Sequence, residues 1–333
     1  MAKPRTRRRR VVTGYDGSDH SLQALEWAMD EAELRRLPLT VVHAWQWPYG
    51  EAGEDAGDRG RAAAGRVLRH GADCARACST IVEVATDLYE GPAARRLVEL
   101  SADAELVVIG SRGRNAPARS VIGSTASAVA AHARAPVLIT RGTGPIPVPL
   151  HPGPVVLGLK DTTGGEVLEF AFEEAALRRL RLLVMHAGHP HHLTAWGVAM
   201  APLPDVDDSA RVCREWVDER LAGWQEKYPK VAVDVCLSTT APKESLLDAS
   251  AKATLLVAGA GRSALLSGHL GLMTRSLVRH ASGPVAVVPP AAGPAGPGGS
   301  LRADLSGSGP PTADPRQHGS PGSMSPGAGD RGR

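Results

Sequence analysis

The chain carries one long segment twice. LEWAMDEAELRRL at 25–37 returns as LEFAFEEAALRRL at 168–180. VVHA at 41–44 returns as VMHA at 184–187, and HARAPVLI at 132–139 returns as HASGPVAV at 280–287. The copies stand a whole domain's length apart, so this is a tandem duplication and not a solenoid of short repeats. One fold must therefore serve both halves, and 333 residues give room for two hydrophobic cores. The expected organisation is a basic arm at 1–10, a first domain at 11–142 and a Pro/Gly-rich linker at 143–154. A second domain follows at 155–290. The tail at 291–333 is rich in Gly, Pro and Ser and is expected to be disordered.

Within the first copy, short apolar runs alternate with segments of helical spacing. Strands are expected at 11–15, 39–45, 80–86, 106–109 and 136–140. Helices are expected at 20–36, 59–77, 91–101 and 124–134, the first capped by Ser18 or Asp19. Such alternation implies an α/β fold with a parallel, doubly wound sheet and right-handed crossovers. Sheets of this kind take ligands beyond the carboxyl ends of their strands.

The stretch LVVIGSRGRNAPARSVIGSTAS, 106–127, stands at one such strand end. Its glycines Gly110, Gly113 and Gly123 and the following Ser124 have the spacing G-x2-G-x9-G-S. Glycine admits positive φ and lets a ligand approach the main chain. A helix beginning at Ser124 offers free N–H groups and the positive end of its dipole, worth about 0.3–1 kcal/mol to one anionic charge. The Ser124 hydroxyl adds a donor, so the loop reads as a phosphate site. It lacks G-x4-G-K-[ST] and is not a P-loop.

This stretch resembles the nucleotide-binding signature of the universal stress protein family, in its ATP-binding branch. Asp16, in VVTGYDGSDHS, matches the acid that follows the family's first strand. The resemblance spans nearly all of 10–290, because the unit occurs twice. It implies two tandem Rossmann-like domains, each with a five-stranded parallel sheet of order 3-2-1-4-5. It implies ATP or another adenine nucleotide as ligand, with Mg²⁺ as a candidate companion of the phosphates. By the same resemblance, Asp16 serves the sugar end and Ala44 lies beside the adenine, with Gly14 and Tyr15 as further nucleotide contacts. Gly110, Gly113, Gly123 and Ser124 then hold the phosphates, with Ile109, Arg112 and Thr125 as further expected nucleotide contacts. The family's frequent hydroxyl two places after Ser124 is here Ala126, with Thr125 or Ser127 as possible substitutes. The family also associates through its last strand, so 137–140 and 285–288 are expected to pair within the chain or between two copies.

The second copy is an internal control. Lys160 stands where the first has Asp16, and a lysine cannot accept a hydrogen bond. Gly259 and Gly261 are one residue apart instead of two, and Leu272 follows Gly271 where Ser124 follows Gly123. The expectation is a folded, disabled copy acting as a built-in dimerisation partner.

Composition narrows the classes. Net charge is +3, too small to argue for nucleic acid, although Arg5 and Arg7 to Arg10 crowd one end. No apolar run is long enough to span a membrane and no secretory h-region follows the basic arm. Four cysteines make neither a disulfide nor a zinc framework, which suits the cytoplasm, and Cys74 and Cys78 read as small buried hydrophobes. Arg112 and Arg114 are either phosphate partners or solvated loop residues. Trp45, Trp47 and Tyr49 either cover a base or pack their own loop. His43, which recurs as His186, reads as a satisfied strand-end histidine. His186, His189, His191 and His192 have no standard zinc spacing. No nucleophile or general base is paired with the glycine loop. The expected function is therefore a nucleotide-binding stress regulator with slow or no ATP hydrolysis. The alternative is a nucleotide-independent scaffold for an unknown protein partner.

Overall fold

The structure is a computed structural model and describes residues 9–46, 54–78, 82–113, 122–141, 152–186, 206–238, 241–261 and 269–290. The first copy runs β1 (Val11–Gly14), α1 (Asp19–Arg35), β2 (Leu39–Trp45), α2 (Glu54–Cys78) and β3 (Val84–Glu90). It continues with α3 (Ala93–Ser101), β4 (Leu106–Gly110), α4 (Ser124–His132) and β5 (Val137–Thr140). The second copy repeats the order: β6 (Val155–Leu159), α5 (Gly165–Arg178), β7 (Leu182–His186), α6 (Val206–Lys227) and β8 (Val233–Leu237). It ends with α7 (Pro242–Ser250), β9 (Leu255–Gly259), α8 (Leu272–His280) and β10 (Val285–Val288).

Local chemistry accounts for the element ends. Ser18 caps α1, its hydroxyl accepting from the Ser21 N–H. Arg36 and Arg179 close α1 and α5 in the left-handed region, each at φ 55°. This is a mildly strained stop for a non-glycine residue, satisfied by bonds from each cap N–H to the last turn. Pro92 opens α3, its fixed φ suiting a helix start.

The ten strands form one sheet, in the order β3-β2-β1-β4-β5-β10-β9-β6-β7-β8. Each half has the expected order, and its pairings are parallel. The seam between the halves is antiparallel: Val285 faces Ile139, Ala286 faces Leu138 and Val287 faces Val137. Leu138 and Ala286 are counterparts in the duplication, so a pseudo-twofold axis passes through their pair. Alternate residues of each strand enter two cores. One, with Leu25, Trp27, Leu168 and Phe172, lies under α1, α2, α5 and α6. The other, with Leu97, Val129, Leu246 and Leu277, lies under α3, α4, α7 and α8.

Three expectations need correction. The third strand lies at Val84–Glu90 and not at 80–86. Its seven residues pair one to one with Leu39 through Trp45 of β2. As an edge strand it is half exposed and carries Thr86, Asp87 and Glu90, so it lacks the apolar run that marks a central strand. The second helix begins at Glu54, before the expected 59. Cys78 is exposed and Cys74 only half-buried, because Ala64, Leu68, Ala72 and Ala75 form the buried stripe of α2. Residues 79–81, Trp47, Tyr49, Arg114, and the histidines at 189, 191 and 192 lie outside the described residues, as do the linker at 143–151 and the tail.

Candidate functional site

A cleft of about 1150 Å³ opens at the carboxyl ends of β1 and β4. Gly14, Tyr15 and Asp16 line it from the end of β1, and Ala44 from β2. Ile109, Gly110, Arg112 and Gly113 line it from β4 and the loop after it. Gly123, Ser124 and Thr125 close it at the head of α4. The eleven residues expected to contact a nucleotide all line this one cleft, whereas Trp45 is not among its lining residues.

Asp16 is held by its own turn. The Ser18 N–H and hydroxyl both donate to its Oδ1, at 3.0 and 2.6 Å. Ser21, which the sequence reading passed over, takes the Asp16 N–H at 3.3 Å and donates to the Ser18 carbonyl. Across the cleft, Gly113 passes over the acid: a Cβ there would stand 2.7 Å from Asp16 Oδ2.

The glycines act through space and not through φ. None of Gly110, Gly113 and Gly123 is among the glycines at positive φ, which corrects the expectation from the loop. Gly110 lies against α1, where a Cβ would meet the His20 carbonyl oxygen at 2.7 Å. Gly123 is the N-cap of α4, at φ −74°, with no side-chain cap. Its N–H donates to the Ser111 carbonyl at 2.8 Å, which fastens the end of the loop to the strand end. The first helical bond runs from the Ser127 N–H to the Gly123 carbonyl. Ser124, Thr125 and Ala126 therefore present N–H groups without an acceptor among the described residues.

Tyr15 has a second duty. Its ring stacks on His70 of α2, and its phenol meets His70 Nδ1 at 2.7 Å. Burial raises the phenol above its ordinary range, helped by Cys74 and Asp16. His43 donates from Nδ1 to the Tyr15 carbonyl at 2.7 Å, and His186 makes the same bond to Leu159 at 3.0 Å. Both histidines are structural tethers between neighbouring strand ends. Trp45 is half-buried.

The second repeat keeps the frame and changes the side chains on it. The Gly271 N–H donates to the Ala260 carbonyl, as Gly123 does to Ser111. Leu272, in the place of Ser124, is 87% exposed. Thr274, in the place of Ala126, donates its hydroxyl to the Gly259 carbonyl at 2.6 Å. A hydroxyl at that place serves its own strand end, and in the first repeat Ala126 is simply buried.

One contribution was invisible in the sequence reading. His269, Leu270, Arg275 and Arg279 of the second repeat also line the first repeat's cleft. Their residue types are plain in the sequence, but only the pairing of β5 with β10 brings α8 to that wall. Among the described residues no group of three or more His, Cys, Asp or Glu could hold a metal ion.

The family model described as the universal stress protein family matches the chain twice, over residues 7–141 and 153–289. A universal stress protein of Mycobacterium tuberculosis is 34% identical over 305 residues, covering 86% of this chain and 99% of the relative. One from Mycolicibacterium smegmatis is 30% identical, covering 84% of this chain and 97% of the relative. The crystal structure of a universal stress protein from Archaeoglobus fulgidus superposes with a TM-score of 0.61 at 19% identity, covering 84% of this chain and 96% of that one. With both halves matched and relatives aligned along most of its length, the chain belongs to the universal stress protein family.

Proposed function

We propose that the first repeat binds an adenine nucleotide, ATP by preference, and that the chain acts as a nucleotide-responsive regulator. The observation that carries this reading is the uncapped head of α4 facing Asp16 across one cleft. The N–H groups of Ser124 to Ala126 suit phosphate oxygens, and the helix dipole adds to them. Gly113 lets the loop lie close against the Asp16 carboxylate, and Ser124 is exposed at the head of α4, where its hydroxyl would add a donor to a phosphate. Asp16, an acceptor fixed by Ser18, suits a sugar hydroxyl. Mg²⁺ would be held by the phosphates and water, and Asp16 is the one carboxylate that lines the cleft among the described residues. Because that carboxylate is already bonded to Ser18, hydrolysis is proposed to be slow or absent. The second repeat serves as the partner that completes the sheet. No helix among the described residues is long and apolar enough to cross a membrane, and a cytoplasmic site of action is part of the same proposal.

The test writes the second repeat's residues into the first. Mg·ATP at a hundredfold over Kd is expected to raise the melting temperature by about 5 °C. Ser124→Leu and Asp16→Lys, copying Leu272 and Lys160, are each expected to abolish most of that rise. No rise in the parent chain at saturating nucleotide would overturn the reading in favour of a nucleotide-independent scaffold.

A further inference from the structure

The two repeats differ along one helix face. On α4, Ser127 and Ala131 are one helical turn apart and both line the cleft. Their counterparts on α8 are Arg275 and Arg279, which line the same cleft from the other side of the pseudo-twofold axis. Small residues on α4 leave space, and long cations on α8 enter it. Both arginines are exposed, and neither guanidinium has an ion-pair or hydrogen-bond partner among the described residues.

Two further arginines fix which end of the cleft this is. Arg141 directly follows β5, whose Thr140 lies beside Gly110 and accepts from the Ser111 N–H. The Arg141 guanidinium donates to the carbonyl of Val278, between Arg275 and Arg279 on α8. Its Nε is buried without a partner. Burial and the neighbouring charge of Arg112 lower its pKa. Arg112 itself lines the cleft in the glycine loop. The arginines of α8 therefore stand by the glycine loop, at the end where phosphates would lie. Among the described residues, the lining side chains there hold one carboxylate, Asp16, against Arg112, Arg275 and Arg279.

We propose that the second repeat completes the first repeat's site: Arg275 and Arg279 of α8 grip the outer phosphates, so the cleft selects nucleoside polyphosphates over monophosphates. This rests on the adenine-nucleotide reading above and gives the degenerate repeat a direct part in ligand choice. Guanidinium–phosphate bonds are charge-assisted and form only with a tail long enough to reach α8.

Calorimetric titration of the full chain with ATP, ADP and AMP tests it. The parent chain is expected to bind ATP more tightly than AMP. The double variant Arg275→Ala, Arg279→Ala is expected to lose about tenfold or more in ATP affinity, the scale of one charged hydrogen bond, while AMP affinity stays within about twofold. Arg275→Lys, Arg279→Lys is expected to recover part of the loss. Unchanged ATP affinity in the alanine variant overturns the proposal and leaves the adenine site standing. An equal loss for all three nucleotides also overturns it, because the arginines would then not be reading the tail. If the parent chain binds none of the three, the nucleotide reading fails first and this inference fails with it. Melting without ligand checks the fold, and Arg275→Gln, Arg279→Gln takes over the test should the alanine pair melt early.

Discussion

At Gly110 the side chain is absent because the backbone of α1 is in the way. A Cβ there would sit 2.7 Å from the His20 carbonyl oxygen and 2.9 Å from its carbon, and a helix backbone cannot step aside as a flexible side chain can. Gly110→Ala is expected to destabilise the chain by about 1–3 kcal/mol, the usual cost of overpacking, read from urea unfolding. Gly113 differs: its obstacle is the Asp16 carboxylate, so Gly113→Ala should disturb the site more than the fold. The sequence marked both glycines as one motif. It did not distinguish a packing glycine from a site glycine, because that difference lies in what the missing Cβ would touch.

At the scale of elements, the two copies of the repeated helix meet. Glu31 and Arg35 of α1 face Glu174 and Arg178 of α5, their counterparts in the duplication. Arg35 bonds to both carboxylates, and Arg178 bonds to Glu31 and, at 3.1 Å, to Glu174. The glutamates are fully buried, and the Arg178 guanidinium also lies over the Trp27 ring at 4.6 Å. Burial, with Glu174 alongside, pushes the Glu31 carboxyl up to about 7 against the pull of Arg35 and Arg178. Between the ordinary 4.5 and about 7, the folded chain keeps a proton on Glu31 that the unfolded chain has released. Native binding of the extra proton means that stability from this group falls as pH rises through that window. Urea midpoints across the window should show this slope, and Glu31→Gln should flatten it. Above that window, where Glu31 is ionised, Glu31→Ala leaves two buried guanidiniums on one carboxylate and is expected to cost about 3–5 kcal/mol. Replacing all four residues by well-packed apolar ones is expected to be neutral or stabilising by about 1–4 kcal/mol.

At the scale of the whole molecule, the duplication is used to cover an edge. β5 is buried along its length because β10 lies against it. Alone, the first repeat would expose that strand as an unpaired edge. A fragment of residues 9–141 is therefore expected to pair with a second copy through β5, Leu138 on Leu138, and light scattering should report a dimer. A monomeric fragment would mean that the β5 edge does not by itself hold two copies together and that the covalent link between the repeats is needed to keep the seam closed.

The repeat, the alternation of strands and helices, and the spacing of Gly110, Gly113, Gly123 and Ser124 were enough to derive the fold class and one wall of the cleft. They suffice because apolar periodicity and glycine placement are local properties that act over a few residues. The register of β3 was not legible, since an edge strand with Thr86 and Asp87 takes its bounds from β2 and not from its own pattern. Nor was it legible that Arg275 and Arg279 face a cleft built by residues more than a hundred positions earlier. That depends on how two copies of one unit pack across an antiparallel seam, and contacts between distant segments leave no period in the chain to be read.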